Sequence, residues 1–460
     1  MKLDSISLKR SFWRFIWPSV IAQWIFSLYT MVDGLFVARG VSEVALSAVN
    51  IASPFVHFLF SVSLLFAVGT STIVAMFLGQ DKRKEADEAY SQNLAVLGII
   101  SLVITAAVFL NLDSVAAFLG ATELTLDYVK HYIISILPFS WCFIFSYSFE
   151  VLVKTDGFPK FAAICVALAA VTNCLLDWLF VMVFRWGVAG AGAATGLSQM
   201  LAVALYLVHF LSPRATIGFV KPCWSLGKLW RVVKIGLPSG LTELSAGITV
   251  FLFNHAILAY IGEEGIISYT IIAYINTIVV MSMAGGARGA QPLVSFYYGR
   301  RDGYSCGVLF RYSVVTIVAM AAAAFTGSWA GAEGLVSAFI SEDMAELRVY
   351  SASVFRIFSV SFLIMGFNIM IGGVFTAIEW PKAALAITLG RGLIIMAAAL
   401  AISIAAAGGE GIWWAPAVSE LICLVISMGL MSRYRKRNKS LSFNASKEVS
   451  PDVWKDGQRY

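Results

Sequence analysis

Hydrophobic positions in this chain do not alternate with polar ones. They run on in long stretches, broken by short clusters of charge. A helix needs about 20 apolar residues to cross a hydrocarbon core of ~30 Å, whereas a membrane strand needs only ~10 residues of strict alternation. The pattern therefore predicts helices, not a barrel. Twelve spans are expected, at approximately 12–37, 46–78, 91–118, 130–153, 161–184, 188–210, 232–260, 266–298, 308–330, 350–378, 383–406 and 411–431. Several exceed the minimum length and imply tilt or extension beyond the hydrocarbon.

Composition turns this pattern into a fold class. Of 460 residues, 59% are hydrophobic and 13% charged. A soluble domain carries about 25% charged residues, so this chain cannot clothe a water-soluble globule. Disorder is excluded too, since it needs low hydrophobicity and high charge. The expected fold is an all-α polytopic membrane protein, with twelve transmembrane helices in two pseudo-symmetric six-helix lobes around a central cleft. The run MKLDSISLKRSFWRF leads straight into the first span, without the small-residue site of a cleavable leader. That span is expected to remain as an anchor.

Two lobes follow from an internal repeat. Trp17–Val20 (WPSV) matches Leu237–Gly240 (LPSG), and the FLGQDKR run from Phe77 matches YYGRRDG from Tyr297. FPKFAA from Phe158 matches WPKAAL from Trp380, and GAGAATGLSQ from Gly190 aligns with GIWWAPAVSE from Gly411. The four matches come in order at nearly constant offset. Six spans is an even number, so both halves start on the same side, as in parallel-repeat transporters. The expected organisation is a first lobe at 1–210, a linker at 211–231, a second lobe at 232–431 and a basic tail at 432–460.

Charge sets the orientation. Lys2, Lys9, Arg10 and Arg14 lie at the N-terminus; Lys82, Arg83 and Lys84 follow span two; Lys154 and Lys160 follow span four. The linker and the tail continue this series, and the intervening loops carry Glu263, Glu264, Glu333, Glu342 and Asp343 instead. Basic residues concentrate on the cytoplasmic side of membrane proteins. Both termini are therefore expected in the cytoplasm, in a multi-pass protein of the cell inner (plasma) membrane. The net charge of +6 reads as an orientation signal with attraction to membrane lipid, not as a nucleic-acid surface. A monomer is expected.

Polar residues inside spans mark function, because a carboxylate at mid-membrane costs ~3 kcal/mol on insertion scales. Asp33 lies in span one. Asn173 and Asp177 in span five are four apart and share a helix face. A carboxylate and an amide oxygen there suit a Na⁺ half-site, a proton carrier, or a hydrogen bond between helices. Thr195 and Ser198 in span six can add a hydroxyl. Glu150, Glu243 and Asn254 are expected along a substrate cleft, with Tyr147 and Met31 offering an aromatic ring and soft sulfur to amphipathic cations. Arg391 sits mid-span and must snorkel, pair or line water. Asn368 is the polar residue of span ten, which lacks a carboxylate. Glu379 and Glu420 read as residues near helix ends, and His57 as a satisfied polar group.

No GxxxxGK[ST] run and no metal-ligand cluster appears. Neither ATP hydrolysis nor another enzyme activity is expected, nor a cofactor beyond a coupling ion, H⁺ or Na⁺. The six cysteines form no CxxC pair; four fall in spans, and Cys223 and Cys306 in basic loops.

The runs YTMVDGLFVARGVSEVALSAVNIASP, VKTDGFPK, TNCLLDWLF, GVAGAGAATGLSQ and ARGAQPLVSFYYG resemble the multidrug and toxic compound extrusion family. Within it, EVLVKTDGFPK is nearest a staphylococcal multidrug-exporter branch. The resemblance covers nearly the whole chain. It implies two six-helix lobes and export of small amphipathic or cationic molecules against inward H⁺ or Na⁺, by alternating access. It also implies an ion site on Asp33, Asn173, Asp177 and Thr195, and a role for Glu243. Glu150 stands where several relatives have Asn, adding negative charge to the cleft. The alternative is a lipid-linked saccharide flippase of similar plan, which would need several cations in its cleft.

Overall fold

The computed structural model describes residues 7–340 and 344–437. Lys2, Glu342, Asp343 and the tail beyond 437, all part of the charge pattern, lie outside the described residues. Every regular element among those described is helical.

The first half holds α1 (Leu8–Gly40), α2 (Glu43–Gly79), α3 (Arg83–Leu110) and the short α4 (Leu112–Phe118). Next come α5 (Leu126–Ile136) and α6 (Ser140–Thr155), joined through a 3₁₀ turn at Leu137–Phe139. Then α7 (Pro159–Asp177) continues as a π-helix at Trp178–Val183, and α8 (Gly187–Phe210) follows. The second half holds α9 (Leu226–Tyr260), α10 (Glu263–Gly299), α11 (Gly303–Ser337), α12 (Ala345–Ser359) and α13 (Phe362–Ala377). It closes with α14 (Pro381–Leu389), a π-helix at Gly390–Ile394, α15 (Ile395–Ala407) and α16 (Gly411–Arg437).

Among the described residues, eleven continuous stretches are long and apolar enough to cross a membrane. The last, Pro381–Lys436, has 56 residues. Straight, it would measure ~84 Å at 1.5 Å per residue, well over twice the hydrocarbon thickness. It folds back instead. Gly408 takes φ 60°, a 3₁₀ turn at Gly408–Glu410 follows, and Gly411 packs against the Ser403 carbonyl of α15. The stretch thus supplies two crossings.

The repeat is written in the backbone as well as the sequence. Asp81 and Arg301 both adopt left-handed conformations, at φ 58° and 61°. The turns match: Lys82 N donates to the Phe77 carbonyl at 2.9 Å, and Asp302 N to that of Tyr297 at 3.0 Å. Gly157 and Glu379 form a second equivalent pair, at φ 98° and 56°. After each, a helix begins on proline, α7 on Pro159 and α14 on Pro381, where a missing N–H costs nothing. Both helices then widen into a π segment, an element seen frequently at functional sites.

Contacts divide the chain into two compact units. One comprises Ile21–Leu244; the other runs on from Ser245 and includes the start of α1 up to Val20. In the first unit, α9 begins at Leu226, inside the segment read as linker, and its first half crosses α2 backbone to backbone. Gly236 lies on the Leu65 carbonyl and Gly69 on that of Val232, and the Ser61 hydroxyl donates to the Gly240 carbonyl at 2.9 Å. No Cβ fits at either Gly69 or Gly236. In the second unit the start of α1 crosses α10 in the same way, with Gly289 against the Phe15 carbonyl.

Cys306, expected in a loop, is buried in the first turn of α11, while Cys223 is exposed. Its thiol donates to the Val294 carbonyl at 3.8 Å.

Candidate functional site

Four of the expected residues come together in the first unit. Asp33 comes from α1, Asn173 and Asp177 from the end of α7, and Thr195 from α8. Asn173 and Asp177 are fully buried and Thr195 nearly so. Asp177 is the last residue before the π-helix, so the four-residue spacing that puts it on one face with Asn173 is intact.

Donors run out before acceptors do. Asn173 Nδ2 donates to Thr195 Oγ1 at 3.4 Å, and the Thr195 hydroxyl donates back to the Ala191 carbonyl at 2.9 Å. Asn173 Oδ1, both oxygens of Asp177 and Asp33 Oδ1 are buried without a hydrogen-bond partner. The Asp33 and Asp177 carboxyl groups are near enough to act on each other electrostatically. Two carboxylates side by side, Asp177 fully buried and Asp33 partly so, repel strongly. Such a pair is stable only if it shares a proton or surrounds a cation. The chemistry of the cluster is therefore uptake of one small positive charge.

A cavity of about 40 Å³ adjoins it, lined by Tyr29, Tyr147, Glu150, Ser198 and Gln199 among others. Tyr29 links the two features. It sits one helical turn before Asp33 and lies close to Asp33, Asp177 and Glu150. Gln199 Oε1 accepts from the Ser146 hydroxyl at 2.6 Å, and the Tyr147 ring lies 6.1 Å from that of Phe60.

Glu150 is not a bare charge. Its carboxylate meets Lys154 Nζ at 2.5 Å, and both side chains are buried. The added negative charge expected from Glu150 is matched within one turn of its own helix. The signal is present in the sequence, since residues four apart on a helix are neighbours.

The remaining expected residues are placed elsewhere. Glu243, in the first half of α9, approaches His57 Nδ1 at 3.3 Å within the first unit. Met31 is 44% exposed on α1, and Asn254 is exposed on the part of α9 that belongs to the second unit.

The second unit carries a network that the sequence pattern does not announce. Arg391, in the π-helix, pairs with Glu420 Oε1 through Nη2 at 2.7 Å and Nε at 2.9 Å. Asn368 Nδ2 donates to Glu420 Oε2 at 2.7 Å, and the Ser427 hydroxyl donates to Asn368 Oδ1 at 2.9 Å. Glu420, expected near a helix end, is 3% exposed and answers the mid-span cation. In the repeat it stands where the first half has Gln199, a correspondence that points to an interior position.

Comparison with known proteins agrees with the fold. The MatE family profile matches residues 18–179 and 238–400. The chain is 23% identical over 432 residues to the multidrug export protein MepA of Staphylococcus aureus, covering 91% of this chain and 92% of that one. The MepA of Staphylococcus haemolyticus is 22% identical over 442 residues, with 94% and 95% covered. Among solved structures, an outward-facing multidrug resistance MATE family transporter of the MOP superfamily superposes with a TM-score of 0.88 at 21% identity, covering 95% of this chain and 98% of that one. A MOP superfamily transporter from Pyrococcus furiosus gives 0.86 at 21% identity, with 94% and 97% covered.

Proposed function

The chain belongs to the MatE family of membrane transporters, and on that premise we propose that Asp33 and Asp177 carry its coupling proton while the adjoining cavity takes part of an organic cation. Members of the class are secondary, ion-coupled antiporters of small organic substrates and not enzymes. The working unit in this reading is a monomer of the plasma membrane with both termini in the cytoplasm.

The nearness of the two carboxyl groups carries the proposal. With the pair deprotonated, the first unit holds net negative charge beside Tyr29 and the cavity. A cationic, partly aromatic substrate gains from that charge and from the rings of Tyr29 and Tyr147. A proton arriving from outside is shared by Asp33 and Asp177 and cancels the attraction. The substrate leaves, the protein reorients, and the proton departs to the cytoplasm. Pro18 inside α1 removes a backbone hydrogen bond and gives that helix a place to bend.

A second reading has Na⁺ as the ion. It is favoured by the unpartnered Asn173 Oδ1, since a proton needs only the two carboxyls whereas a cation uses further oxygens. The flippase alternative loses ground because it needs several cations facing its substrate. Arg391 is engaged by Glu420, and Lys154 by Glu150.

Export of a fluorescent organic cation from proteoliposomes, with pH and Na⁺ gradients imposed separately, tests the proposal. Flux driven by the pH gradient alone is expected. Flux driven only by Na⁺ overturns the proton assignment, and flux driven by neither overturns the export reading.

A further inference from the structure

The segment between α8 and α9 is strapped along one face of α3. Gly218 N donates to Asp87 Oδ1 at 2.8 Å, Val220 N to the Ser91 hydroxyl at 2.9 Å, and Gln92 Nε2 to the Ser225 carbonyl at 3.0 Å. Lys228 Nζ pairs with Glu88 at 2.8 Å. The four anchors on α3 share a single helical face at the cytoplasmic end predicted by the charge pattern. The Phe219 ring packs on Tyr90 at 5.4 Å.

Between this strap and the outer surfaces of α3, α6 and α8 runs an open apolar groove of about 430 Å³. That volume falls within the ~300–1,000 Å³ of ligand-holding clefts. Leu94, Trp141, Phe145 and Leu207 form its walls, and Phe219, Val220 and Pro222 close one end. Lys221 lies in sequence between the lining residues Val220 and Pro222, exposed and without a carboxylate partner among the described residues. The strap continues with Trp224, Leu226 and Trp230 at 61%, 85% and 59% exposure. Large exposed apolar side chains interspersed with basic ones belong at a membrane–water boundary, where tryptophan rings sit at headgroup level.

We infer that this groove is a binding site for one anionic phospholipid, with an acyl chain along Trp141, Phe145 and Leu207 and the headgroup on Lys221. The apolar groove alone would accept any membrane lipid. The exposed Lys221, flanked in sequence by two lining residues and able to reach over the groove on its long side chain, supplies the charge complementarity that selects an anionic one. The site lies wholly within the first unit and is independent of the proton–substrate exchange proposed above.

The test is native mass spectrometry of the full chain, released from nanodiscs of equal phosphatidylglycerol and phosphatidylethanolamine. The wild type should retain phosphatidylglycerol preferentially. Lys221→Gln should lower that preference about fivefold, the weight of one basic residue at an anionic surface. Leu207→Trp, which fills the groove, should abolish lipid retention altogether. Equal retention of the two lipids by the wild type overturns the proposal. So does undiminished phosphatidylglycerol retention in either variant. Lys221 is exposed, so its variant folds and decides the matter alone if the groove-filling variant does not.

Discussion

Asp33 on α1 and Asp177 at the end of α7 bring their carboxyl groups near enough to act on each other, and three of the four oxygens find no donor in the protein. Nothing in the fold itself rewards this arrangement. The repulsion of a buried carboxylate and a half-buried one is relieved only by a small positive charge. Asp33→Asn and Asp177→Asn should therefore each reduce gradient-driven export to background. Both should leave the amount of folded protein unchanged, because each substitution removes repulsion. Flux from proteoliposomes, normalised to reconstituted protein, checks this. Export retained in both variants contradicts it.

Glu150 and Lys154 form a buried pair one helical turn apart. Removing one partner strands the other, a cost of about 3–5 kcal/mol for pairs of this kind, while neutralising both costs far less. Lys154→Met should lower the thermal unfolding midpoint strongly. Adding Glu150→Gln to it should recover most of the loss. Unfolding in detergent, followed by fluorescence, separates these outcomes. Additive losses would show that the two side chains do not act as a pair.

Glu420 makes a similar test in the second unit, with a larger network at stake. Glu420→Ala leaves Arg391 unpaired and takes an acceptor from Asn368. Destabilisation of about 3–5 kcal/mol is expected. Asn368→Ala, which removes hydrogen bonds but no charge, should cost about 1–3 kcal/mol. The ranking of the two variants by thermal unfolding is the measurement, and the reverse order would contradict the network.

Backbone contact makes a further prediction. Gly236 presses on the Leu65 carbonyl, so even a methyl group there must displace α2 or α9. Gly34, beside Asp33, has Leu46 Cδ1 at 3.8 Å, an ordinary contact. Gly236→Ala should destabilise by about 1–3 kcal/mol, the usual cost of overpacking. Gly34→Ala should be close to neutral in stability. Equal unfolding midpoints for the two variants would show that the close crossing is not structurally required.

Much of the fold and the core of the site are legible in the amino-acid sequence. The helices follow from uninterrupted apolar runs, and the repeat from four ordered matches, mirrored in the paired left-handed turns at Asp81 and Arg301. Asp33, Asn173 and Asp177 stand out because polar groups in apolar spans are costly, and α1, α7 and α8 do bring them together with Thr195. Residues defined by long-range partners are not legible. No periodicity says that Glu420 answers Arg391, or that His57 meets Glu243. The placement of the first half of α9 in the first unit is equally silent in the sequence, because glycines at 69 and 236 reveal a close crossing only when the two helices are seen together. Lys154 is different. It lies four residues after Glu150, and that spacing alone suffices to pair them.

The proton claim is tested most directly by what substrate binding does to the pair. If protonation of Asp33 and Asp177 weakens substrate binding, reciprocity requires that substrate binding expel the proton. Purified protein in weakly buffered detergent solution should acidify the medium when a saturating organic cation is added, and neither Asp33→Asn nor Asp177→Asn should do so. No acidification by the wild type despite substrate binding, or acidification undiminished in both variants, would contradict the account.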